Sequence, residues 1–280
     1  MPTILEVLNK TKAFLEKKGI EKPSLNAEWL IAKGLDCKRL DLFLRFEEQI
    51  PEKKLSFLRE LVVRRANHEP LQYVLGEMPF MDLNLKIDSR ALIPRPETEE
   101  LVERLLALWD THKPSKVLDL GTGSGAIALA IAYYCKKTEV LGVDLNPNAL
   151  ALAQENAIKC ALEKQVTFQL SNWFKEISGK FDWIISNPPY LTEQEWQTAQ
   201  LEVKQFEPKN ALVAEDEGLA DLKQLLEEAP QYLAPSGAIA LETGILHHDK
   251  LKSFAKDFRY TRTESWKDIS GRDRFFVAFI

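Results

Sequence analysis

The chain has 280 residues, 45% of them apolar and 28% charged, which excludes wholesale disorder and fits one large domain with a smaller companion. A net charge of −5 counts against a counterion-displacing nucleic-acid binder, so no direct nucleic-acid contact is expected. Three cysteines without a CxxC pair count against a disulfide framework or cysteine–zinc site, and no His/Cys/Asp/Glu cluster has metal-ligand spacing. The start, Met1-Pro2-Thr3-Ile4-Leu5-Glu6, lacks the features of a signal peptide. The most apolar stretch, Ala126 to Cys135, is far shorter than the roughly 20 residues that cross a bilayer. A cytoplasmic protein with no membrane partner is expected.

The first 72 residues read as helices. Ile4, Leu5, Leu8, Phe14 and Leu15 fall near helical spacing, with Lys10, Lys12, Glu16 and Lys17 on the other side. Pro23-Ser24 opens a second helix for which Gly34 is the expected stop, and Pro51 sits at the first turn of a third, followed by Leu55, Leu58, Leu61 and Val62. From residue 73 to 90 the pattern changes. Tyr73, Val74 and Leu75 lead to Gly76, and Leu83, Leu85 and Ile87 alternate with polar residues. Period-two alternation predicts a β-hairpin linker with its tip between Gly76 and Met81.

From 91 to 280, strands alternate with helices. The predicted strands are Val117 to Leu120, Val140 to Val143, Val166 to Leu170, Phe181 to Ile185, Gly237 to Leu241 and Phe275 to Ile280. Between them, Ala126 to Tyr134, Pro147 to Cys160 and Leu219 to Leu233 read as helices. This alternation predicts an α/β fold with a doubly wound, mostly parallel sheet.

Three signals within that region carry chemistry. Asp119-Leu120-Gly121-Thr122-Gly123-Ser124-Gly125 follows a strand and opens a helix; its glycines let backbone approach a ligand, although a tight turn alone would also use them. Asp144 follows the next strand, about 20 residues beyond the glycines, where a doubly wound sheet presents a carboxylate to a ribose. A helix N-terminal acid is the plainer reading. A glycine loop plus this acid suits an adenosine without pyrophosphate, S-adenosylmethionine, while leaving NAD open. The third signal is Ser186-Asn187-Pro188-Pro189-Tyr190 after the fourth strand. Its prolines stiffen the turn and remove two N–H donors, so it offers carbonyl oxygens, the Asn187 amide and an aromatic face. Such a set can grip a planar NH₂ group.

Together, residues 119–125, Asp144 and Asn187 to Tyr190 resemble class I S-adenosylmethionine-dependent methyltransferases acting on planar amino or amide nitrogens. Pro70 to Gly76, Leu92-Ile93-Pro94-Arg95-Pro96-Glu97-Thr98-Glu99 and Gly271-Arg272-Asp273-Arg274 resemble, more narrowly, the HemK-type peptide chain release factor glutamine methyltransferases. The resemblance spans nearly the whole chain. It implies a seven-stranded methyltransferase sheet, S-adenosylmethionine as cofactor, release factors as partners, and methylation of the glutamine side-chain amide in their Gly-Gly-Gln motif. Gly121, Thr122, Gly123, Ser124 and Gly125 would wrap the methionine end of the cofactor, Asp144 would hold the ribose, and Trp173 would flank the adenine unless it is plain core. Asn187, Pro188, Pro189 and Tyr190 would receive the glutamine, with Asn187 also beside the cofactor and Asn187, Pro188 and Tyr190 serving catalysis. Residues 1–72 would recognise the substrate protein. One departure is His247, where the resemblance calls for glutamine; His247 and its neighbour His248 read as surface residues. The rival readings are a glutamine methyltransferase for a ribosomal protein, a DNA amino-methyltransferase, and a helical adaptor on an inactive methyltransferase.

Overall fold

The computed structural model describes residues 1–109 and 115–280. They form two compact units, Met1–Glu77 with Gln200–Phe206, and Met78–Ala199 with Glu207–Ile280.

The first unit is helical. Helix α1 (Ile4–Lys17) starts in a capping box: Thr3 Oγ1 accepts from the Glu6 N–H at 3.3 Å, and the Glu6 carboxylate accepts from the Thr3 N–H at 3.2 Å. Helix α2 (Pro23–Leu35) runs past Gly34 and ends at Asp36 in the left-handed conformation. Gly34 has a different duty from the expected stop. A Cβ there would collide with the Leu58 side chain, so the glycine lets helix α3 (Glu52–Ala66) pack close. Pro51 is the N-cap of α3, one place before the expected first turn. Residues expected to lead into a strand instead form the short helix α4 (Leu71–Leu75), which Gly76 closes at φ +75°. Ile4, Ile31 and Leu58 pack in one core cluster, and Leu15, Leu30 and Leu61 in another. Arg65 is buried and donates to Asn26 Oδ1 at 2.7 Å and to the Glu69 carbonyl at 2.9 Å. It also pairs with Glu202 at 2.8 Å, which ties the helix Leu201–Phe206 into this unit.

A hairpin of β1 (Glu77–Phe80) and β2 (Leu83–Lys86) follows, with its turn at Met81-Asp82. Asn156 accepts from the Lys86 N–H at 2.6 Å and donates to the Lys86 carbonyl at 3.0 Å, so β2 is fastened to helix α5 (Pro147–Lys159) of the second unit.

The second unit is built on a seven-stranded sheet of β3 (Ser115–Leu120), β4 (Thr138–Asp144), β5 (Val166–Leu170), β6 (Phe181–Ser186), β7 (Leu233–Glu242), β8 (Arg262–Lys267) and β9 (Asp273–Phe279). The strand order is β5-β4-β3-β6-β7-β9-β8. The first five are mutually parallel, and β9 is antiparallel to both β7 and β8. Leu118, Leu120, Ile184 and Leu241 pack with Leu222, Leu225 and Leu226 of the helix Ala220–Glu228. Truncating any one of these leucines to alanine should cost about 2–5 kcal/mol. Several elements lay outside the sequence reading, the helix Pro96–Leu108 among them. β8 is an edge strand whose residues are mostly half-exposed and polar, so no apolar run marks it. The helix His248–Asp257 begins at a pair of histidines with few apolar residues. No helix of the described residues is long and apolar enough to cross a membrane.

Candidate active site

Sheet register builds the site. Leu120 pairs with Val143 on one side and Ser186 on the other, and Ser186 pairs with Leu241. The next residue on each strand therefore falls in one row at the carboxyl edge: Asp144, Gly121, Asn187 and Glu242. Strand order reverses between β3 and β6, since β4 lies beyond one and β7 beyond the other. That is the crevice where open α/β sheets bind ligands. A cavity of about 290 Å³ opens there. Gly121, Thr122, Gly123, Ser124, Asp144, Trp173, Asn187 and Pro189 all line it, so the structure joins the glycine loop, the acid and the proline turn in one place.

The glycine-loop end is held by backbone. Gly121 and Thr122 both donate to the Val143 carbonyl at 2.8 Å, which folds the loop back over β4. Gly121 has φ +72°, and a Cβ on it would stand 3.4 Å from the Trp173 ring. Only a residue without a side chain leaves that space between loop and ring. Trp173, itself at φ +50°, is half-buried and donates from Nε1 to Asp221 Oδ1 at 3.2 Å, so it is a cavity wall rather than plain core. Asp144 accepts from the Gly123 N–H at 2.9 Å and from the Asn146 N–H at 2.8 Å. Burial pushes its carboxyl pKa up, against the pull of those donors. Asp144 does not cap α5; Asn146 does, its Oδ1 accepting from the Asn148 N–H at 2.9 Å. Gly125 is set back from the cavity and packs toward Ala153, Leu129 and Phe168.

Asp119 lies beneath the loop, fully buried. Its Oδ2 accepts from Thr122 Oγ1 at 2.6 Å and from the Ala128 N–H at 3.1 Å, and its Oδ1 has no partner among the described residues. Burial is the main cause that pushes its pKa up to about 7. A loop whose space a Cβ would take, a flat indole wall and a carboxylate at the cavity edge fit S-adenosylmethionine, whose sulfonium, adenine and ribose hydroxyls need such neighbours.

The other end of the cavity is held by side chains. Asn187 donates from Nδ2 to Thr98 Oγ1 at 3.1 Å, and Thr98 donates to Glu242 Oε2 at 2.7 Å. Tyr190 donates from its hydroxyl to Glu242 Oε1 at 3.0 Å. Burial pushes the Tyr190 and Glu242 pKa values up. Pro188 is buried, and neither it nor Tyr190 is part of the cavity wall; the phenol reaches inward to Glu242.

Several residues here carried no role in the sequence reading: Arg90, Thr98, Asn210, Asp221 and Glu242. Arg90 is a clamp, bonded to Asp88 and Glu155 at 2.8–2.9 Å. Thr98 lies inside the segment Leu92 to Glu99, already distinctive in sequence, so a signal existed there. Of the two histidines expected at the surface, His248 is buried and His247 is half-buried. His248 is 4% exposed, lies edge-on to Phe276 and shares a 3.0 Å hydrogen bond with Thr243, and burial lowers its pKa to about 4. His247 is half-buried against Gly218 and Gly244, whose missing side chains make room for its ring.

Residues 6–76 match the PrmC N-terminal domain model, and residues 98–214 match the methyltransferase small domain. The release factor glutamine methyltransferase of Haemophilus influenzae is 39% identical over 288 aligned positions, covering 98% of both chains. That of Buchnera aphidicola subsp. Schizaphis graminum is 38% identical, covering 94% of both. That of Enterococcus faecalis is 36% identical, covering 98% of both. Among solved structures, the hMettl16 catalytic domain in complex with a MAT2A 3′UTR hairpin aligns at TM-score 0.58 and 16% identity, over 79% of this chain and 81% of that one. A methyltransferase from Pyrococcus furiosus aligns at 0.52 and 17%, over 82% and 98%. These structural likenesses show a common methyltransferase fold.

Proposed function

The chain belongs to the release factor glutamine methyltransferase family, and from that premise we propose that it moves a methyl group from S-adenosylmethionine to the side-chain amide nitrogen of the glutamine in the Gly-Gly-Gln motif of peptide chain release factors. The observation that carries the reading is the single cavity lined by both the glycine loop and Asn187.

The cofactor supplies a methyl on a positively charged sulfur, so the leaving group needs no activation. The difficulty lies with the amide, whose lone pair is delocalised into its carbonyl. The protein's work is alignment and charge management. Gly121 to Ser124, Asp144 and Trp173 hold the cofactor. Asn187 lines the cavity where the buried Pro188 does not. Its Oδ1 accepts an amide hydrogen, turns the nitrogen lone pair toward the methyl, and favours positive charge developing on nitrogen. Tyr190 holds the turn from within.

The helical unit, whose residues 1–72 the sequence reading assigns to recognition, meets the substrate protein. It presents a groove lined by Val7, Phe14, Leu55, Val62 and Val63, in which Phe14 is 40% and Val63 53% exposed. Substrate and cofactor are both cytoplasmic, and the acidic chain makes no direct nucleic-acid contact. Parallel incubations of the full chain and labelled S-adenosylmethionine with a release factor, a ribosomal protein and DNA test the reading. Label should enter the release factor, and label entering only one of the others would replace this reading with a rival.

A further inference from the structure

Glu242 and Thr98 have no part in the chemistry above, yet both are nearly inaccessible, at 1% and 3% exposure. A carboxylate in such a place is costly unless its oxygens are met by donors. Here they are: Thr98 on Oε2 and Tyr190 on Oε1. The consequence lies in the direction of the hydrogens. A carboxylate only accepts, and a threonine hydroxyl has a single hydrogen to give. Once Thr98 gives that hydrogen to Glu242, its oxygen can only accept from Asn187. The asparagine must then turn its NH₂ toward Thr98, and Oδ1 becomes the free end of the amide.

We propose that Glu242 and Thr98 are positioning residues that fix the polarity of the Asn187 amide, so that it meets the substrate amide with an acceptor oxygen rather than with its own NH₂. The proposal rests on the reading of Asn187 as an acceptor for the glutamine. With the amide reversed, an NH₂ group would face an NH₂ group, and the acceptor that orients the nucleophile would be lost. Tyr190 holds the second carboxylate oxygen and keeps Glu242 from rotating away from Thr98. The register of β6 and β7 makes the arrangement possible, because Ser186 pairs with Leu241 and so sets Asn187 and Glu242 side by side.

The test uses the full-length protein, a purified release factor and labelled S-adenosylmethionine in single-turnover assays, with cofactor affinity by calorimetry. Thr98→Val keeps the shape and removes the hydroxyl. It should slow methyl transfer about 10–100-fold, the usual loss when a group that orients a reacting side chain is removed, while leaving KM for the release factor and cofactor affinity within about threefold. Thr98→Ser restores the hydroxyl and should recover most of the rate. Glu242→Gln should resemble Thr98→Val, because a carboxamide can donate to Thr98 as readily as accept and no longer dictates direction. In the Asn187→Ala background, Thr98→Val should cost nothing further, since it acts through Asn187. Wild-type transfer by Thr98→Val, equal losses in Thr98→Val and Thr98→Ser, or full additivity with Asn187→Ala would each overturn the proposal while leaving the role of Asn187 intact. Wild-type transfer by Asn187→Ala alone would instead overturn the reading of Asn187, and this proposal with it.

Discussion

The two ends of the cavity are held by different means. At the glycine-loop end the restraints are backbone groups: Gly121 and Thr122 donate to the Val143 carbonyl, and Gly123 donates to Asp144. At the Asn187 end they are side chains, buried or half-buried, drawn from three separate elements. A backbone cradle tolerates the exchange of many neighbours, because its hydrogen bonds belong to no particular side chain. A side-chain relay loses its direction when any one member changes. Binding should therefore degrade gradually with substitutions at the first end, and turnover abruptly with substitutions at the second.

The largest effect should follow loss of Asn187. Asn187→Ala should lower the single-turnover rate on the order of 10²–10³-fold, as when one preorganised polar group is removed from an active site, with a much smaller change in calorimetric cofactor affinity. Asn187→Asp keeps an acceptor but sets a charge against a neutral amide and should fall between. A parallel fall in melting temperature and activity would mean that Asn187 only shapes the turn.

Asp119 offers a test of the first end by pH. Its folded pKa of about 7 lies above the ordinary carboxylate value, so the folded chain binds more protons than the unfolded chain between about pH 4 and 7. Stability contributed at this site is highest below that window and falls as pH rises through it. Relative to Asp119→Asn, the wild type should lose on the order of 4 kcal/mol of unfolding free energy from pH 4 to pH 7. Denaturant titrations of both proteins at the two pH values check this, and a constant difference would mean that Asp119 titrates normally. Asp144→Ala should come next, weakening S-adenosylmethionine binding by about 1.5–3 kcal/mol through loss of a charged acceptor. Because Asp144 also restrains Gly123, a small drop in melting temperature should accompany it. The smallest effect should be Phe14→Asp in the helical unit. It should raise KM for the release factor by roughly tenfold, the scale of one interface contact, and leave cofactor affinity unchanged. An unchanged KM would remove the groove from substrate recognition.

The two ends also differ in how far the sequence announces them. The glycine loop, Asp144 and the proline turn are short and contiguous, and each follows a strand with an apolar signature, so both the sheet and its ligand edge were legible. Thr98, Asn187 and Glu242 lie far apart in the chain, and only the register of β6 against β7 makes Asn187 and Glu242 neighbours. No local pattern encodes that pairing. Elements were missed for related reasons. Tyr73-Val74-Leu75 combines an aromatic and a β-branched residue that favour strands, yet Gly76 in the left-handed conformation closes Leu71–Leu75 as a short helix. His248 looked like a surface residue because its burial depends on Phe276 and Thr243, elements that meet it only after folding.

Mapping the methylated atom separates glutamine methylation from every rival reading. Full-length protein, a release factor and methyl-labelled S-adenosylmethionine, followed by peptide mass spectrometry, should place one methyl on the side-chain nitrogen of the Gly-Gly-Gln glutamine, and transfer should collapse with Asn187→Ala while cofactor binding persists. A methyl on any other residue, or undiminished transfer by that variant, would rule out the proposed transfer.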